Sequence, residues 1–295
     1  MQITALGLAT DLMMLRLGGS SIDDRGDHLV VRTPDNPNYW WGNFVALAEP
    51  PPAANVPGWL RTFAEHFPQA RHRAFAIDRA GLAAEWIDPW RDLGLVYDAG
   101  TALVAEALHE PPRPNHDAIY RPLDTEADWD ALVEVRCANN EDLEPASYRT
   151  FTVDSVRGVR RLVDAGHGQW FGAFLGSDLV STMGLFTDGS GVARYQAVDT
   201  HPGARRRGLA GTLAHNVGLW GFRELGARQL VILADPHAEA IRVYRSIGFT
   251  DAEPAHRLER APSGERLTPA SSAAAAPAVS HADDVRSHSS GADQH

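Results

Sequence analysis

The sequence predicts a mixed α/β protein in two parts, the first a fainter copy of the second, followed by a disordered C-terminal tail. Three observations carry that expectation. Along residues 118–262, short apolar runs bounded by turn signals alternate with stretches of helical spacing. A fainter copy of the same order of elements runs through residues 1–110. Between them lies HEPPRPNHD at 109–117, where prolines crowd a short polar stretch and mark 111–117 as a linker.

The elements follow in order. MQITALGLATDLMMLRLGG reads as a helix of the folded protein, because Asp11 and Arg16 interrupt its apolar run, no basic segment precedes it and no cleavage motif follows. HLVVRTP and WGNFVALAE read as strands, VPGWLRTFAEHF as a helix, RHRAFAID as a strand, and DPWRDLGLVYDAG as a helix meeting a strand. The carboxylate-rich Asp23-Asp24-Arg25-Gly26-Asp27 lacks the twelve-position spacing of a calcium loop and reads as a solvated turn.

In the second half, DAIYRPL is a strand, and EADWDALVEVRCANN places Trp129, Leu132, Val133 and Arg136 on one helical face. TVDSVRGVRRLVDAG carries the stripe Val156, Val159, Leu162 and Val163 and stops at Gly166. QWFGAFLG and LVSTMGLFT flank Gly176-Ser177-Asp178 as a hairpin. ARYQAVDTH is a third strand, GLAGTLAHNVGLWGFRELG a helix, RQLVILAD a buried strand, and HAEAIRVYRSIGF a helix leading into a closing strand. The recurrence of helix, strand, helix and a glycine step in both halves reads as a degenerate repeat. Beyond residue 262 the chain has no aromatics and no periodic apolar positions, so 263–295 cannot bury enough surface to offset ordering. His281, His288 and His295 in that tail are too irregularly spaced to make a metal site.

Composition narrows the function. The chain has 295 residues, 44% of them hydrophobic, enough for two cores. A net charge of −11 argues against a nucleic-acid partner, since neutralising phosphates needs a basic face. The single cysteine, Cys137, excludes an internal disulfide and a thiolate zinc cluster, and cytoplasmic localisation without a metal is the expectation. No stretch approaches the ~20 apolar residues that a membrane span requires. All 27 basic residues are arginine, so the chain cannot be acetylated on a lysine side chain of its own.

Against that acidic background stands Val198-Asp199-Thr200-His201-Pro202-Gly203-Ala204-Arg205-Arg206-Arg207-Gly208-Leu209-Ala210-Gly211, between a strand and a helix. Gly208, with small residues at Ala210 and Gly211, lets the backbone approach a ligand, and successive N–H groups at a helix start form an anion cradle. Arg205, Arg206 and Arg207 add positive charge where a pyrophosphate would sit.

This segment resembles the Arg/Gln-x-x-Gly-x-Gly/Ala signature of the GNAT superfamily of acyl-CoA N-acyltransferases, with Arg205, Gly208 and Ala210 at the defining places. Val198 to Pro202 is similar to that family's splayed fourth strand. Ala240 to Tyr244, then Ser246-Ile247-Gly248-Phe249, resembles its Asn-x-x-Ala-x-x-x-Tyr-x-x-x-Gly-Phe segment. The resemblance implies two GNAT-like three-layer domains in tandem, the first without a cofactor loop, and acetyl-CoA as co-substrate bound by Val198, Asp199, Thr200 and Arg205 to Gly211. It implies transfer of an acetyl group to a primary amine of a small molecule or peptide. Tyr244 matches the residue that protonates the leaving thiolate. His237 stands where the family has an asparagine contacting the pantetheine; an imidazole can donate or accept there, with a different geometry.

The proton acceptor is open among Glu141 and Asp142, in the loop between the first two helices of the second half, Asp199 on the splayed strand, and a water relay through Gln196. Val231-Ile232-Leu233 lack the glutamate that some relatives acetylating protein N-termini carry on the next strand. The aromatic group Tyr39-Trp40-Trp41 with Phe44 reads as core, with Tyr39 or Trp40 as the alternative wall of an acceptor pocket between the domains. The first half would shape the acceptor cleft or support a homodimer. A non-catalytic acyl-CoA-binding regulator is the second reading. A nucleotide-binding protein is disfavoured because neither a Walker lysine nor a Gly-x-Gly-x-x-Gly turn is present.

Overall fold

The computed structural model describes residues 1–37, 39–140 and 144–261. Glu141, Asp142 and the expected tail with its histidines lie outside the described residues. The first half supplies α1 (Leu6–Leu17), β1 (Ser21–Asp24), β2 (His28–Arg32), β3 (Phe44–Leu47), α2 (Val56–His66), β4 (Arg73–Ile77), α3 (Asp88–Arg91) and β5 (Val96–Ala105). The second supplies β6 (Ile119–Pro122), α4 (Glu126–Ala138), α5 (Pro145–Asp164), β7 (Gly168–Leu175), β8 (Asp178–Phe186), β9 (Val192–Thr200), α6 (Leu209–Glu224), β10 (Gln229–Ala234), α7 (Ala240–Ser246) and β11 (Thr250–Arg260).

Local chemistry sets the element ends. Thr125 caps α4 in a capping box with Asp128. Asp128 also takes a forked pair from Arg121 at 2.7 and 2.8 Å, which, with backbone amides, holds its carboxyl well below the usual range. Glu144 accepts from the amides of Ala146 and Ser147, so α5 begins at Pro145, a full turn and more before the apolar stripe that announces it. The acidic turn at Asp23–Asp27 joins β1 to β2, with Gly26 at φ 93° where a left-handed bend is needed.

All the strands join one sheet in the order β1-β2-β3-β4-β11-β5-β10-β9-β8-β7-β6. In each half an antiparallel pair is followed by a helical crossover to a parallel strand: β3 to α2 to β4, and β9 to α6 to β10. The order then reads alike outward from the central β11–β5 pair, which is the mark of a duplicated unit. The closing strands are exchanged. β5 from the first half pairs with β10, while β11 from the second half pairs with β4. Leu103 and Ala105 of β5 therefore lie in the core under α6 and α7, and Leu258 of β11 lies in the core of the first half.

Alternation along β7, β8 and β9 divides the second half into layers. Phe171, Met183, Leu185 and Tyr195 face α6, whereas Trp170, Phe174, Phe186 and Leu179 face α4 and α5. Met13 and Met14 of α1 join the latter core, and Leu8, Leu12 and Leu15 join that of the first half, so α1 spans both. Asp78, at the end of β4, accepts the amides of Thr4 and Ala5 at 2.8 and 2.7 Å and fixes where α1 begins. No helix among the described residues is long and apolar enough to cross a membrane.

Candidate active site

The site begins where two parallel strands part. β9 pairs with β10 only from Val192 to Arg194, and its continuation to Thr200 is held by β8 alone. The cause is a bulge: Thr182 faces Asp199 while Gly184 faces Gln196, and Ala197 is forced to φ 39°. Ser181 secures the far end of β9, donating to the Asp199 carbonyl at 3.0 Å and sharing a 2.8 Å hydrogen bond with the Thr200 hydroxyl. The result is a strand edge from Tyr195 onward whose backbone groups are turned toward a gap rather than toward β10.

A cleft of about 880 Å³ fills that gap. Val198, Asp199 and Thr200 wall one side, Arg205, Arg206 and Gly208 to Gly211 form the end, and Glu239, Ala240, Arg242, Val243 and Tyr244 wall the other. Gly208 caps α6 in the left-handed region at φ 77°, and Arg206 is also left-handed at φ 61°. The bond from the Thr212 amide to the Gly208 carbonyl, at 3.1 Å, opens the helix, leaving the amides of its first turn directed at the cleft.

Most of the residues expected to bind a cofactor thus converge. Arg207 and His237 lie outside the lining: the Arg207 carbonyl accepts from Asn115 Nδ2 at 3.0 Å, and His237 is exposed on a turn where its amide donates to Asp235. Glu239 and Ala240 provide that wall. Arg205 reaches across to Asn139 at the end of α4, donating at 2.6 Å, and so ties the loop to the opposite layer.

Tyr244 is the buried member of its wall. It is 5% exposed, and burial, reinforced by the nearby Asp199 carboxylate, pushes its phenol well above the usual value, so it stays protonated. Asp199 lies 3.7 Å from the buried Arg136 guanidinium. Burial raises its carboxyl above the usual aspartate range more than Arg136 and Arg205 pull it down. One cleft therefore holds a phenol that keeps its proton and a carboxyl inclined to take one.

Sequence reasoning missed Asn139, the Arg136–Asp199 pair and the linker wall of Pro111, Pro112 and Arg113. Arg136 did leave a signal, as a charge aligned with the apolar Trp129, Leu132 and Val133 on one face of α4. Of the aromatic group, Trp40 stacks on His72 with ring centroids 5.6 Å apart. Tyr39 and Trp41 instead border a small cavity of about 50 Å³ beside Gln196, where Asp11 bridges the buried Arg194 and Arg257.

The first half lacks these features for identifiable reasons. β3 and β4 stay paired through Leu47 and Ile77, and the Asp78 amide continues the ladder to the Leu47 carbonyl at 2.8 Å. The loop that follows β3 contains Pro50, Pro51 and Pro52, which have no N–H to offer an anion.

Comparison with known proteins bears on the fold. The acetyltransferase (GNAT) family profile matches residues 129–249. A conserved protein of unknown function from Staphylococcus epidermidis superposes with a TM-score of 0.64 at 11% identity, covering 81% of this chain and 93% of that one. A GCN5-related N-acetyltransferase from Kribbella flavida superposes with a TM-score of 0.60 at 16% identity, covering 88% of this chain and 97% of its own. A tandem GNAT protein from the clavulanic acid biosynthesis pathway gives a TM-score of 0.54 at 12% identity, with coverage of 86% and 89%. No curated protein matches the sequence. Residues 129–249, in the second half of this chain, thus match the GNAT acetyltransferase family, and the chain as a whole has the tandem form of that fold.

Proposed function

We propose that this protein transfers an acetyl group from acetyl-CoA to a primary amine of a small molecule or peptide. The observation that carries the reading is the parting of β9 from β10: an unpaired strand edge leading from the amide cradle at Gly208 to the buried Tyr244. The donor set suits the carrier. Amides and the Arg206 guanidinium suit a pyrophosphate, the open strand edge suits the amide groups of a pantetheine arm, and Tyr244 stands where the thioester would end. Bound there, the carrier supplies an activated acetyl whose carbonyl an amine attacks with loss of a thiol.

The side chains then have separable tasks. Asp199 takes a proton from the incoming ammonium and so frees the nitrogen lone pair. Tyr244 gives its phenolic proton to the sulfur as the carbon–sulfur bond breaks; the second proton lost by nitrogen, as the amide forms, balances that gift. Arg136 holds the Asp199 carboxylate beside the cleft.

Tyr244→Phe is expected to lower kcat by about 10²-fold or more while acetyl-CoA affinity stays near that of the parent, measured by release of free thiol and by calorimetry. An unchanged rate of the chemical step removes Tyr244 from its role. Because a base must be unprotonated, activity falls as pH drops through the raised Asp199 value. The acid limb of kcat/KM should therefore lie above the usual aspartate range and vanish in Asp199→Asn. The whole reading is tested by acetyl-CoA calorimetry and by thiol release over a panel of amines: no saturable binding sinks it, and binding without turnover leaves a carrier-binding protein that is not an enzyme.

A further inference from the structure

The cleft contains more positive charge than the motif accounts for. Among the described residues, Arg113, Arg205, Arg206 and Arg242 line it with Asp199 and Glu239 as the carboxylates, in a chain whose net charge is −11. Arg205 is committed to Asn139. Arg113, Arg206 and Arg242 come from three separate segments, and among the described residues none of them is in ion-pair contact with a carboxylate.

Arg113 is placed with particular care. The linker that carries it is seamed to the loop, with the Asn115 amide donating to Thr212 Oγ1 at 2.9 Å and Asn115 Nδ2 donating to the Arg207 carbonyl at 3.0 Å. The Arg113 carbonyl lies so near Gly208 that a Cβ there would come within 2.3 Å of it. Its backbone is thereby fixed against the cradle, and the residue is exposed and lines the cleft. Arg242 projects from α7, whose neighbouring Val243 packs toward Gly211.

We propose that Arg113, assisted by Arg242, forms a phosphomonoester subsite that grips the 3′-phosphate of the carrier's adenosine head. This rests on the acetyl-CoA reading. The loop amides and Arg206 answer the pyrophosphate, and a second anionic group on the same ligand calls for guanidinium forks outside the motif. The linker between the halves is then part of the cofactor site, and the protein selects coenzyme A over carriers that lack the 3′-phosphate.

Calorimetry of the full chain with coenzyme A and with 3′-dephospho-coenzyme A tests this. The wild type should favour coenzyme A by on the order of tenfold to a hundredfold, the range of a charge-assisted hydrogen bond to phosphate. Arg113→Ala should lose most of that preference by weakening coenzyme A alone, with its melting temperature unchanged because the side chain is exposed. Arg113→Glu should bind the dephosphorylated carrier more tightly than the complete one. Equal affinity of the wild type for both carriers, or a preference that survives Arg113→Ala and Arg242→Ala, overturns the subsite while leaving the acetyl-CoA reading intact. A wild-type chain that binds neither carrier overturns that reading and the subsite together.

Discussion

Residues 116–261 produced without the first half are expected not to fold, although they contain every part of the cleft except its linker wall. Removing β5 strips β10 of its antiparallel partner from Leu230 to Ala234, and leaves β11 without β4 or β5 on either side. It also deletes Leu103 and Ala105 from the core beneath α6 and α7, where Leu103 is fully buried. Truncating one such leucine costs about 2–5 kcal/mol, and a whole domain is stable by only about 5–15 kcal/mol. The loss of a strand and its side chains therefore exceeds what the remainder can absorb. Circular dichroism and gel filtration should find the fragment unfolded or aggregated through its open edges. Co-production with residues 1–115 should restore a soluble complex, and the intact chain should melt in a single transition. A monomeric fragment with its own cooperative melt, or two separate transitions in the intact chain, would falsify the coupling between the halves.

Gly208→Glu is expected to weaken acetyl-CoA binding by at least about a hundredfold. Two effects coincide at this position. With φ at 77° and a Cβ placed only 2.3 Å from the Arg113 carbonyl, any side chain must displace the linker and adopt a disfavoured conformation, at a cost of about 1–3 kcal/mol. The added carboxylate then competes with a phosphate for the same amides and guanidiniums, so like charges meet where opposite ones should. Gly208→Ala separates the two, because it retains the steric effect and lacks the charge; its affinity should fall between the parent and Gly208→Glu. Calorimetry with acetyl-CoA, alongside a melting curve of each variant, reads both. Parent-like affinity in Gly208→Glu would mean that the cradle does not hold the carrier.

Much of this was legible in advance because it is local. The α4 cap, the hairpin at Gly176-Ser177, the Gly208 loop and the Tyr244 to Phe249 segment each depend on contiguous residues whose backbone preferences can be read directly. Misjudged boundaries were local too. The early start of α5 follows from Glu144-Pro145, a start signal lying outside the apolar stripe, and α7 begins only at Ala240 because Asp235 holds the preceding turn. Other parts of the site combine distant segments: Asn115 meets Arg207 across 92 positions, and Asn139 meets Arg205 across 66. No periodicity records such meetings.

The amino-acid sequence by itself determined the mixed α/β class, the duplicated order of elements and the Gly208 turn that opens α6, since all three rest on short-range preferences of the backbone and on apolar spacing. Tertiary structure decided which half each closing strand would join, because β5 and β11 carry the same two-residue alternation whichever neighbour accepts their hydrogen bonds. It likewise decided that Arg136 would face Asp199 and that the linker would wall the cleft. Charge pairing and burial act through space, and only the folded chain brings those groups within reach of one another.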